Sequence, residues 1–78
     1  MAARRRPDPA DELARVFGSR GVGSGPPEPA LGWARTTLLG ADLDPEQDRA
    51  AAIRTLRAEK GLTARAAEML VNELAHGW

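Results

Sequence analysis

Cysteine and tyrosine are both missing from this 78-residue chain, histidine and lysine occur once each (His76, Lys60), and aromatic residues make up only 4%. Without cysteine there is no disulfide, no thiolate nucleophile and no Cys-based zinc site. A single histidine with no nucleophile at a telling spacing gives no acid–base pair, so no catalytic activity is expected. Charge of one sign is not in excess either, because Lys+Arg and Asp+Glu both number 11. A dedicated nucleic-acid binder shows a basic surplus instead. No apolar run approaches the ~20 residues that cross a bilayer. The basic start "MAARRRPDP" is not followed by an apolar segment, so it does not read as a secretory signal. These absences lead to the expectation of a soluble, cytoplasmic protein with no cofactor, no metal and no membrane partner. The bias to alanine, and to arginine over lysine, suggests a small bacterial protein.

What the chain does have is helical punctuation. In "DPADELARVFG", Asp8 is placed to cap, Pro9 suits the first helical position, and Asp11 and Glu12 favour the positive end of the helix dipole. Leu13, Val16 and Phe17 fall on one face, and Gly18 ends the segment. A helix over 9–17 is too short to stand alone in water, so it must dock. Residues 1–8 before it read as a disordered basic arm. Residues 18–28 after it hold glycine and proline in the proportions of a flexible linker, with a reach of roughly 20 Å for a dozen residues. Gly21, Gly23 and Gly25 lack the preceding strand that a phosphate-cradling loop needs.

Three further helices are expected within 29–78. The first runs from about Pro29 to Leu39 with Gly40 just past its end, and Leu31, Ala34 and Leu38 share a face. The second is announced by "LDPEQ": Asp44 caps, Pro45 takes the first turn, and Gln47 completes a capping box. It runs to about Lys60, with Ala52, Ile53 and Leu56 inward and Gly61 as its stop. The third is capped by Thr63 and carries Ala67, Leu70, Val71, Leu74 and Trp78 as one stripe. No segment alternates with period two. The fold class is therefore all-α: a small three-helix bundle, or a four-helix one if the 9–17 helix joins it. Its expected large core residues are Leu31, Leu38, Leu39, Leu43, Ile53, Leu56, Leu62, Leu70, Val71, Leu74 and the two tryptophans. That is a thin core for this length, and it favours docking of the N-terminal helix or dimerisation.

Few residues carry chemistry. Asp42, Asp44, Glu46 and Asp48 alternate as in a calcium loop, but Gln47 and Ile53 stand where that loop needs glycine and a bidentate glutamate. An acidic, dipole-favoured helix start explains them better. Ser19, Ser24 and the threonines have no motif around them. Arg49, Arg54, Arg57, Lys60 and Arg65 face only Glu59 between positions 49 and 65, a local excess of +4. Most charge runs are solvated faces.

The stretch "IRTLRAEKGLTARAAEML" resembles the first two helices of repressor-type helix-turn-helix proteins through Arg54, Arg57, Gly61, Leu62, Thr63 and Ala67. The resemblance departs after Leu70, where "VNELAHGW" continues helically in place of a turn into a recognition helix, so base readout in that mode is not expected. Ile53, Arg54, Arg57, Gly61, Leu62, Ala67, Leu70 and Val71 also resemble a helical hairpin in the C-terminal domain of the bacterial ribosomal stalk protein. In that family Arg65 would fall at a basic position used in factor contacts. That domain needs flanking strands, which are not visible here. A plain helical hairpin accounts for what the two share.

The function expected is thus a small protein-interaction or self-associating module, a homodimer included, with Leu13, Val16, Phe17, Trp33 and Trp78 as candidate partner-binding residues. The alternative is weak, sequence-independent nucleic-acid association through Arg54, Arg57, Lys60 and Arg65, aided by Arg4, Arg5 and Arg6.

Overall fold

The computed structural model describes residues 9–18 and 26–78, and among them every regular element is a helix. These are α1 (Pro9–Phe17), α2 (Glu28–Gly40), α3 (Arg49–Lys60) and α4 (Ala64–Gly77). The basic arm 1–8, including Asp8 and Arg4 to Arg6, and the glycine-rich stretch 19–25 lie outside the described residues. Helices α2 and α4 form a central pair; α1 and α3 each pack against both of them and meet each other where Lys60 lies over Phe17. The result is a four-helix body, the larger of the two expected bundles.

Alanine decides how close those helices come. Ala30, Ala34, Ala52, Ala66 and Ala67 are fully buried alongside Leu13, Leu38, Leu56, Leu70 and Val71, with Leu62 and Leu74 nearly so. A methyl group at the crossing lets two backbones approach until the leucines of neighbouring turns interlock. This sets the rotation of α2. Its inward row is Ala30, Ala34 and Leu38, so Leu31 is only half-buried and Leu39, expected in the core, points out with 62% of its surface exposed. Leu43, Ile53 and Trp33 are likewise half-buried rather than central.

The helix ends depart from the expected boundaries in three places. α2 begins one residue earlier, at Glu28, and the preceding Pro27 is a buried N-cap whose carbonyl accepts from the Ala30 and Leu31 amides. Pro27 and Glu28 therefore belong to the body and not to the linker.

At its other end α2 runs through Gly40. The left-handed residue is Asp42 (φ 59°), and the Asp42 and Leu43 amides donate back to the Leu39 and Leu38 carbonyls. This is a Schellman closure with aspartate in the glycine position, and it places Leu43 against the core.

α3 begins at Arg49, four residues later than Pro45. Asp44 does cap, its Oδ1 accepting from the Glu46 and Gln47 amides at 2.7 and 2.9 Å. The answering bond comes from Asp48 and not from Gln47: Asp48 Oδ2 accepts from the Asp44 amide at 3.0 Å. With its own ψ at 38°, Asp48 breaks the helical path, so 45–48 is a separate turn.

The α3–α4 corner follows the sequence closely. Gly61 is left-handed (φ 67°, ψ 31°) and its amide closes on the Arg57 carbonyl at 2.7 Å, while Thr63 Oγ1 accepts from the Ala66 amide. Space for a methyl at Gly61 is open, so any penalty comes from the backbone alone. Gly61→Ala is expected to lower unfolding stability by about 1–2 kcal/mol, the cost of a left-handed non-glycine residue. Chemical denaturation with an unchanged m-value checks this, and an unaffected midpoint would mean that the corner relaxes.

Candidate functional site

The candidate partner-binding residues do not form one surface. Leu13 is fully buried, covered by α2 and α4, so the chain's own core takes it up. Phe17 and Trp33 meet each other, their ring centroids 5.3 Å apart and tilted by 46°. Lys60 Nζ lies over both rings, 5.5 Å from the Phe17 centroid and 5.8 Å from that of Trp33. The only lysine and the only phenylalanine thus tie the ends of α1 and α3 to α2. Val16 and Trp78 remain exposed, at 43% and 44%.

A second tie was not readable from the sequence. Glu12 in α1 accepts from the Thr63 amide at 2.9 Å and from the Thr63 hydroxyl at 2.7 Å, a contact spanning 51 residues. Its carboxylate sits at the positive end of α4, where charge and dipole attract. Nothing local couples Glu12 to Thr63, and only the folded arrangement brings them together.

Trp78 lies at the far end of α4 from that clasp, roughly 20 Å away along a helix of this length. There it borders a cleft of about 280 Å³ shared with Leu39, Leu43, Asp42, Asp44 and Asp48. Two leucines, the tryptophan and three aspartates line it together, and most of the lining surface is polar. No ion pair neutralises these aspartates among the described residues, and Asp42 spends none of its side-chain oxygens on a hydrogen bond there. α2 and α4 end at this cleft and α3 begins there with Asp48 as its N-cap, so the helix dipoles oppose one another and the negative charge is that of the three carboxylates. Sequence reasoning named Trp78 but missed Leu39. The available signal was that a row through Ala30, Ala34 and Leu38 turns Leu39 outward.

Of the alternative basic set, Arg54, Arg57 and Arg65 are exposed, whereas Lys60, also exposed, is engaged with the aromatic pair. Among the described residues no group of three or more metal-ligating side chains converges. No helix there is long and apolar enough to cross a membrane. His76 is exposed in the last turn of α4. Comparison with protein-family models, with curated proteins and with solved structures found no match for this chain.

Proposed function

We propose that this protein is a small non-catalytic binding module that engages another protein through the end of the bundle where α2 and α4 finish. The observation that carries this reading is that Trp78 and Leu39, both exposed, line one cleft together with three aspartates that form no ion pair among the described residues. An exposed leucine and an exposed tryptophan gain by being covered, and tryptophan is among the residue types most enriched in interface hot spots. The opposite end has closed on itself through Leu13, Glu12 and the Phe17–Trp33–Lys60 group. A photoreactive amino acid at position 39, compared with the same group at the exposed position 35 on the same helix, tests the reading. Discrete adducts are expected from position 39 and none from position 35, with an adduct at twice the chain mass indicating self-association. Equal labelling at both positions, or none at 39, would refute it.

The second reading, phosphate contact without base readout, rests on Arg54, Arg57 and Arg65, which are exposed and free of ion pairs with any described carboxylate. It requires duplex binding that falls steeply with salt.

A further inference from the structure

We infer that the cleft between Leu39, Leu43 and Trp78 receives an arginine side chain from a basic segment of a partner protein; this rests on the module reading above and names its occupant. The three carboxylates ask for a cationic ligand, and the two leucines and the tryptophan favour one that also carries apolar surface. Leu39, Leu43 and Trp78 line the cleft together with Asp42, Asp44 and Asp48, whose carboxylates supply negative charge. Arginine matches this better than lysine. Its guanidinium is planar and weakly hydrated, so it stacks on an aromatic face and bonds a carboxylate in its plane at the same time. A lysine ammonium would surrender tighter hydration to enter the same space.

The carboxylates are available to different degrees. Asp44 Oδ1 is held by two backbone amides and Asp48 Oδ2 by one, which fixes both side chains in place. Asp42 has both oxygens free of described partners, so it is the natural acceptor for the guanidinium. The turn is preorganised: Asp42 is set by the left-handed closure of α2, and Asp44 and Asp48 by their reciprocal bonds. Little ordering remains to be done on binding. Exposed Glu46, between the two capping aspartates, extends the negative field toward neighbouring cations of a basic segment.

The test is a titration of the full ¹⁵N-labelled chain with a peptide of three arginines flanked by glycines, and with its lysine twin. The two tryptophan indole signals report separately on Trp78 and Trp33. Expected are shifts of the Trp78 indole and of the amides from Asp42 to Asp48 with the Trp33 indole still, and binding of the lysine peptide about fivefold weaker. Trp78→Ala should weaken the arginine peptide about tenfold and Asp42→Asn about threefold. Both side chains are exposed, so the helical spectrum should be preserved.

Equal binding of the two peptides, no shift at millimolar peptide, or shifts centred elsewhere would overturn the assignment. So would shifts of these amides on concentrating the protein alone with a doubled sedimenting mass, because the occupant would then be a second copy. Adducts from position 39 without arginine binding would leave the module standing and remove only its proposed ligand.

Discussion

Leu70→Ala should bring the protein close to or past its unfolding threshold at room temperature. Leu70 is fully buried in α4, and α4 belongs to the central pair on which both outer helices pack. Removing a buried leucine side chain costs about 2–5 kcal/mol, the larger values arising where the surroundings cannot collapse into the space. Around Leu70 they collapse poorly. Its buried neighbours along α4 are Ala66, Ala67, Val71 and Leu74, and alanine has no flexible atoms with which to refill a hole. A chain of 78 residues has about 4–12 kcal/mol to lose in total. Urea unfolding followed by helical circular dichroism is therefore expected to show a midpoint shifted by half or more of its range, with the m-value unchanged. A shift worth under ~1 kcal/mol would mean that α4 is not the centre of the core.

Leu13→Ala should act differently, although its side chain is just as buried. Leu13 is the only fully buried residue of α1, and the helix is held otherwise by Glu12 on Thr63 and by Phe17, which meets Trp33 with Lys60 over both rings. Nine residues do not hold a helix in water alone, so once Leu13 is lost the segment releases as a unit. The measured loss is then capped by the docking free energy of α1 and does not reach the full cavity cost of about 2–5 kcal/mol. Release separates Phe17 from Trp33, so the Trp33 indole signal should move, while α2 to α4 unfold in a single transition a little earlier than in the parent. Glu12→Gln should shift the same signal in the same direction by a smaller amount, since it keeps the shape and removes the charge. Unfolding of the whole body in step with α1, with a loss as large as for Leu70→Ala, would show that α1 is inseparable from the core.

These two variants also mark where the sequence was legible. α4 was readable because Ala67, Leu70, Val71 and Leu74 repeat at helical spacing after a threonine cap and a left-handed glycine, so local chemistry and tertiary demand coincide. α2 was readable as a helix with Ala34 and Leu38 on its inward face, but Leu31 and Leu39 were placed too deep. A large side chain draws the eye, yet here alanines line the crossing, which leaves Leu31 half-buried and Leu39 outside. Its stop was misplaced because glycine at 40 looked sufficient, whereas Asp42 takes the left-handed position and satisfies the α2 carbonyls through its own amide and that of Leu43. The start of α3 was displaced by Asp48, whose short side chain returns to the Asp44 amide and holds a separate turn.

The candidate site was legible only in part. Trp78 could be singled out by residue type, and the alternation of acids over 42–48 was visible. That these converge with Leu39 on one cleft depends on the rotation of α2 and the length of α4 together. The Glu12–Thr63 clasp had no sequence signal, being a contact between residues 51 positions apart. The two misses lie at opposite ends of the bundle, the clasp at the start of α4 and the cleft at its end.

That division of the molecule, with one end spent on its own first helix and the other available to a partner, is most directly tested by native-state amide hydrogen exchange of the full chain. The amides from Leu13 to Phe17 are expected to be protected well above free-peptide rates, yet less than those of Leu70 and Val71, because α1 opens as a unit before the core does. Exchange at free-peptide rates would contradict the account. The Leu13, Val16 and Phe17 face would then be free to capture a partner, and the binding surface would belong to α1 instead of the Trp78 cleft.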